Sequence, residues 1–175
     1  MIFFVLSLLI VAVFVLLTFI APKDYIISRS IDIDRPYSAV FDYLKFTKNQ
    51  DHWSPWKKKD PNMKQTYFGT DGEVGFIAKW QGNSDVGIGE QEIKSLVKNE
   101  RIETTFRFFK PWKSISESVI TVEDFGRMQT KVTWTFYGKN EFPSNVFMVF
   151  YNLDKAVGKD FEEGLSQLKA LLEKA

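Results

Sequence analysis

The hydrophobic positions of this chain follow three regimes, and each predicts a different kind of element. The first has no period at all. From Ile2 to Ala21 runs IFFVLSLLIVAVFVLLTFIA, without a charge and with only Ser7 and Thr18 polar. As a helix this run would rise roughly 30 Å, the thickness of a bilayer core. A cleaved signal peptide would want a basic start, a shorter apolar region and an A-x-A-like exit. Here no Lys or Arg precedes the run, and Pro22 follows Ala21. The expected organisation is a transmembrane anchor over residues 1–22 and one domain over residues 23–175.

The second regime is alternation. DYIISRSIDI sets Tyr25, Ile27, Arg29, Ile31 and Ile33 against a more polar set and predicts a first strand. Asp34 and Pro36 then predict a short helix, with Asp34 as its cap and Val40, Phe41 and Leu44 on one face. Thr47-Lys-Asn-Gln50 has the spacing of a capping box and predicts a second short helix that runs into His52 and stops before Pro55. After DPN at 60–62 come MKQTYFG, GFIAKWQGN, GIGEQEIKSLV, RIETTFRFFK, KSISESVITVEDF and MQTKVTWTFYG, separated by turn signals. These are six antiparallel candidates, and the first strand makes seven. No repeat or linker divides them.

The third regime is helical. Phe150, Val157, Phe161, Leu165, Leu168 and Leu172 fall on one stripe at i+3 and i+4 steps, and Asp154 falls on it too. A carboxylate on an apolar stripe needs a partner, water or a raised pKa. Two readings stay open for Asp154, a structural ion pair and a polar group inside a pocket. Gly158 could kink the helix and shift the phase before it.

Charge adds an orientation. Lys23, Arg29 and Arg35 follow the apolar run and nothing basic precedes it, so the domain is expected on the cytoplasmic side. The net charge of +1, with acids and bases interleaved, argues against a nucleic-acid surface. The absence of cysteine removes disulfides, thiolate metal sites and cysteine nucleophiles. A single histidine, His52, cannot build a multi-histidine metal site, and no G-x-S-x-G elbow is present. GTDGEVG lacks the Lys-Ser/Thr of a phosphate loop, and GIG before Glu90 lacks the last glycine of a dinucleotide loop. No cofactor and no metal is therefore implied. His52, Glu90 and Asp154 remain conceivable acid/base groups without forming a catalytic set.

The order of these elements, with PKDYIISRSIDIDRPYSAVFDYL, WSPW with DPNM, WQGN, GIGEQEI, NERIE, TKVTW and LDKAVGKDFEEGLSQLK, resembles the START-like, helix-grip (SRPBCC) superfamily. More narrowly, the chain is similar to membrane-anchored polyketide cyclase and dehydrase proteins. The resemblance implies an α+β fold: a bent seven-stranded antiparallel sheet gripping a long C-terminal helix, with two short helices after the first strand. It also implies an apolar cavity between sheet and helix, although the same rings could close into a solid core. Strand parity then gives Phe76 and Trp80, Phe106 and Phe108, and Trp134 and Phe136 as wall residues. Trp53, Trp56, Phe150, Asp154 and Phe161 complete the candidate ligand-binding set.

The function so implied is binding or carrying of a hydrophobic or lipid-like small molecule at the membrane. An acid/base enzyme acting on such a molecule and an adaptor for another membrane protein are the alternatives. DHWSPW, followed by Lys57, Lys58 and Lys59, adds an expectation of place. Tryptophan and lysine settle at a headgroup layer, so Trp53 or Trp56 with these lysines could form a membrane-facing mouth.

Overall fold

The alternation from Asp24 onward does produce a strand, β1 (Asp24–Ile33), and its neighbour in the sheet is the last strand rather than the next one. In the computed structural model, which describes residues 2–21, 23–126, 128–139, 145–146 and 152–174, six further strands follow. They are β2 (Lys64–Phe68), β3 (Ile77–Gln81), β4 (Ile88–Val97), β5 (Arg101–Lys110), β6 (Ser114–Asp124) and β7 (Thr130–Lys139). All neighbours pair antiparallel in one sheet of order β1-β7-β6-β5-β4-β3-β2. The helices are α1 (Ile2–Ile20), α2 (Tyr37–Leu44), a 3₁₀ helix (Thr47–His52), α3 (Pro55–Lys59) and α4 (Leu153–Lys174).

The core lies between one sheet face and two helices. Phe161, Leu165 and Leu168 of α4 and Val40, Phe41 and Leu44 of α2 bury against Ile27, Ile33, Ile102, Ile120, Val122, Val132 and Trp134. Each such large side chain contributes about 1.5–3 kcal/mol by leaving water. A smaller cluster, Phe76, Ala78 and Ile93 with Tyr67 packed on it, holds the far strands together. Two register shifts in β4, at Ile88/Gly89 and Ile93/Ser95, break its ladder with β5, as β-bulges do where a strand bends.

The local starts differ from those expected. Asp34 does not cap α2, whose N-cap is Pro36. Its amide instead donates to Glu173 Oε1 and its carboxylate accepts from Gln129, tying β1 to the end of α4 and to the β6–β7 turn. No capping box forms at Thr47 either, because Thr47 already lies inside the 3₁₀ helix. The free amides of Thr47 and Lys48 donate to Asp71, a residue from the loop after β2. Between β1 and β2 there are three short helical segments and not two. Pro55 starts α3 at its first turn, where its missing N–H costs nothing, and the same residue read as a stop signal belongs to a start.

Gly158 neither breaks nor kinks α4, which runs continuously through it. A Cβ there would collide with the guanidinium of Arg29, so the glycine opens a passage for that side chain across the helix. Phe150 lies outside the described residues. Among the described residues no helix is long and apolar enough to cross a membrane. Several side chains of the 19-residue α1 lie outside that set, while Phe3, Phe4, Leu16, Phe19 and Ile20 are exposed.

Candidate ligand-binding site

The side chains that point inward from the sheet stand in cross-strand rows. One row runs Trp80, Gly89, Phe108, Ser114 and the next Ala78, Gln91, Phe106, Ser116, Gly138, Tyr25. Gly89 has no side chain because the Trp80 indole lies against it. Where α4 and α2 cover the sheet these rows close into core, and beyond that cover they bound a cavity of about 420 Å³. That volume falls in the range of small-molecule sites.

Seven of the eleven expected residues line this cavity: Trp56, Trp80, Phe106, Phe108, Trp134, Phe136 and Phe161. They meet as ring pairs. Trp134 stacks on Phe161 with centroids 4.0 Å apart, Phe106 meets Phe136 edge-on at 5.5 Å, and Trp80 meets Phe108 edge-on at 5.6 Å. Trp134 is also held by its indole N–H, which donates to Ser118 Oγ at 2.9 Å.

Three of the others are elsewhere. Trp53 is 1% exposed and closes edge-on against Trp134 at 5.2 Å, so it belongs to the core. Phe76 stacks on Tyr67 behind the wall. Asp154 does not line the cavity; its side chain is 57% exposed and pairs with Arg29 at 3.0 Å. Arg29 is shared with Glu162 at 2.6 Å. The Arg29 hydrogen bond holds the Asp154 carboxyl below its ordinary range. Of the two readings of Asp154, the structure selects the ion pair, and the partner comes from the inward-parity position of β1 that passes Gly158.

The hexapeptide DHWSPW therefore divides three ways. His52 is exposed, its Nδ1 3.0 Å from the Tyr43 hydroxyl, and it does not face the cavity. Trp53 is core, and Trp56 is wall. The lysines that follow do not form a free basic patch: Lys58 pairs with Glu163 at 3.2 Å and Lys59 with Asp160 at 2.6 Å, both on α4. Lys57 turns toward Gln65 in the cavity wall.

A polar strip on the wall was not anticipated. Gln65 donates to Asp51 Oδ1 at 2.9 Å and Gln91 donates to Gln50 Oε1 at 2.9 Å, and all four line the cavity. The side-chain carbonyl of Gln91 is buried and has no donor in the structure. Parity carried the missing signal. Gln91 sits between Gly89 and Ile93 on the inward face of β4, and Gln65 with Tyr67 takes the inward face of β2. Tyr67, also in the wall, has its phenol pKa raised by burial and by the neighbouring charges of Asp51 and Asp71.

Glu90 belongs to the other face of the sheet. It pairs with Lys79 and Arg107, each at 3.3 Å, and Arg107 reaches Glu92 at 2.7 Å. The Arg107 hydrogen bond lowers the Glu92 pKa; Glu90, Glu92 and Arg107 do not line the cavity, and of this network only Lys79 reaches its wall. Among the described residues no group of three or more His, Cys, Asp or Glu side chains could hold a metal ion.

A sheet wrapped against a C-terminal helix with an aromatic cavity between them is a helix-grip domain. The profile of the family described as polyketide cyclase / dehydrase and lipid transport matches residues 25–173, and the chain belongs to that family. No curated protein matches it in sequence. Solved structures share the fold at low identity. Norcoclaurine synthase from Thalictrum flavum, in complex with dopamine and hydroxybenzaldehyde, is 10% identical with a TM-score of 0.64, over 89% of this chain and 90% of that one. The Aha1 dimer from Colwellia psychrerythraea is 19% identical with a TM-score of 0.58, over 85% and 96%. A Chromobacterium violaceum protein is 16% identical with a TM-score of 0.60, over 85% and 96%.

Proposed function

We propose that this protein binds and carries a hydrophobic or lipid-like small molecule in the cavity between its sheet and α4, at the surface of a membrane in which α1 anchors it. The observation that carries the reading is the cavity itself. It is walled by seven of the aromatic side chains expected there, and neither Asp154 nor His52 converges on it. The family's description names lipid transport beside its cyclases and dehydrases, and this cavity is consistent with that side of it.

The anchor is supported by α1. Its 19 residues carry no charge and would extend about 28 Å. Its two hydroxyls are bonded back into the helix, Ser7 to the Phe3 carbonyl and Thr18 to the Val15 carbonyl, which is how a hydroxyl is accommodated in lipid. The basic flank at Lys23, Arg29 and Arg35, with nothing basic before the apolar run, supports a cytoplasmic side for the domain.

A second reading rests on the polar strip. Asp51, Lys57 and three glutamines stand in the cavity wall, and a carboxylate there could move a proton on a bound substrate. Norcoclaurine synthase, which shares the fold, is an enzyme by name. Carriage is favoured because Asp51 is already engaged by Gln65 and has no second acid or imidazole beside it among its hydrogen-bond partners.

Native mass spectrometry of the full chain in nanodiscs, with extraction of what co-purifies, tests the proposal. A bound apolar molecule recovered unchanged after incubation is expected. Conversion of that molecule by the parent chain and not by Asp51→Asn would instead select the enzyme. An empty protein that also fails to take up a fluorescent fatty acid would rule out both.

A further inference from the structure

One end of this domain sets the highly exposed Trp112 among four exposed lysines, and the strand register fixes which end that is. Tyr25 on β1, Gly138 on β7 and Ser116 on β6 stand in a single cross-strand row. Two residues beyond the row, about 7 Å at the strand rise, lie Lys23 on one side and Ser114 on the other. Four residues beyond it lie Ala21, the residue after α1, and Trp112, in the β5–β6 hairpin. Two strand spacings separate β1 from β6, about 10 Å. The hairpin tip and the end of the apolar helix therefore stand at comparable height on the same edge of the domain.

What the tip carries suits a headgroup layer. Trp112 is 73% exposed although it also lines the cavity. Lys110 and Lys113 flank it, and Lys139 at the end of β7 and Lys23 beside β1 are exposed as well. Among the described residues none of these four lysines has an ion-pair partner, unlike Lys58 and Lys59, which α4 engages. Among the described residues the acids at this edge are Asp24, opposite Lys139 in the register, and Asp85 in the β3–β4 loop, fewer than its four lysines. On the outer sheet face just behind it, Ile26, Ile115, Phe109 and Tyr137 are all exposed, with Ile26 directly opposite Tyr137. The opposite end of the sheet also exposes two apolar side chains, Phe125 and Met128, but there acids and bases alternate, Glu123 standing opposite Lys131 and Asp34 next to Arg35, so no comparable run of exposed lysines flanks them.

We infer that the β5–β6 hairpin rests on the anionic face of the bilayer that α1 enters, with Trp112 at the headgroup boundary, and that the cavity opens there toward the lipid. The inference rests on the anchor reading of α1. A tether of two or three residues between helix and sheet reaches about 10 Å at most, which leaves this edge no other place to be. It also moves the membrane-facing mouth from Trp53 and Trp56, one buried in the core and the other in the inner wall, to Trp112. A ligand leaving the membrane would pass between Trp112 and the β3–β4 loop, where Val86 lines the cavity, without crossing water. The ring would meet the apolar part of the ligand and Lys110 and Lys113 the phosphates of the surrounding lipid.

The chain has no cysteine, so a single introduced thiol reports one place. Trp112→Cys, Lys113→Cys and, as the far-end reference, Phe125→Cys are labelled with an environment-sensitive fluorophore. The full chain is then reconstituted in phosphatidylcholine/phosphatidylglycerol vesicles that carry a nitroxide at the headgroup level. The expected result is a blue-shifted emission and several-fold stronger quenching at 112 and 113 than at 125, weakened when phosphatidylglycerol is left out. Lys113→Cys keeps the test valid if loss of the indole disturbs the hairpin. Equal quenching at 113 and 125, in vesicles from which alkaline carbonate does not extract the chain, overturns the membrane-facing mouth and leaves the anchor standing. Extraction by carbonate overturns the anchor, and the mouth with it.

Discussion

Two groups of rings on the inner side of the sheet have different fates. Nearest α4, Trp134 lies flat on Phe161 at 4.0 Å, and Trp53 closes on it edge-on at 5.2 Å. On the strands farther from α4, Trp80, Phe106 and Phe108 stand 5.6 to 6.2 Å apart in the wall of open volume. Trp134 shares its residue class and inward strand parity with Trp80, Phe106 and Phe108. Packing on the helix makes the difference: Trp134 and Phe161 border the cavity but are almost fully buried in the core, whereas Trp80, Phe106 and Phe108 border it half-buried. One layer thus supplies both stability and a binding surface.

The largest expected effect breaks the covered group. Phe161→Ala should destabilise by about 3–5 kcal/mol in denaturant titrations, and Trp134→Ala should fall in the same class because it stacks on Phe161 and donates to Ser118. Trp134, read from the sequence as a wall residue, does line the cavity, but it is 5% exposed and packs as core. Phe106→Ala and Phe108→Ala should cost only about 1–2 kcal/mol, because one side of each ring has few atoms to lose, while weakening uptake of a fluorescent fatty acid several-fold. Equal large losses in both groups would mean that the wall is packed.

Gln91 sharpens the comparison from the polar side. Its buried carbonyl has no donor, so Gln91→Leu should leave stability unchanged or slightly raised, since no partner is stranded except Gln50, which faces the cavity. The same change should reduce the preference for a hydroxylated over a purely apolar probe by about 2- to 10-fold, the worth of one hydrogen bond. An unchanged preference would show that the carbonyl does not meet the ligand.

The smallest effect is in pH. The carboxyls of Asp154 and Glu92 are both held below their ordinary range by the hydrogen bonds of Arg29 and Arg107. A depressed folded value adds stability that is complete above the unfolded pKa, about 4, and is lost as pH falls through the folded value. Asp154→Asn and Glu92→Gln should therefore flatten the acid limb of a midpoint-versus-pH profile below about pH 4, with the curves parallel to the parent near neutrality. At neutral pH the loss at Asp154 should be small, because that side chain is well exposed and Arg29 keeps Glu162.

The strands were legible because alternation is a local property. DYIISRSIDI gives β1 to the residue, five of the six later runs contain their strands whole, and the sixth stops one residue short of the end of β7 at Lys139. Caps were less legible, because the amides at the start of the 3₁₀ helix are satisfied by Asp71, 24 residues away, and no window around Thr47 contains it. Pro55 was ambiguous for a related reason: the residue that ends one helix also suits the first turn of the next. Asp154 could be seen to need a partner but not which one, since Arg29 is 125 residues distant and reaches it only past Gly158. In the site, ring parity was readable. Whether a ring was covered depended on where α4 ended over the sheet, which the stripe on the helix does not encode. The polar strip was missed although Gln65 and Gln91 sit at inward parity, because attention to aromatics passes over an amide.

The most direct measurement of the central claim is energy transfer from tryptophan to a dansyl-labelled fatty acid in the full chain. Trp56, Trp80, Trp112 and Trp134 all line the cavity, so a probe inside it is within transfer distance of each. The account predicts saturable transfer at one probe per chain, displaced by unlabelled fatty acid and weakened several-fold in Phe106→Ala at nearly unchanged fold. Transfer that never saturates, or that is identical in the parent and in Phe106→Ala, would contradict it.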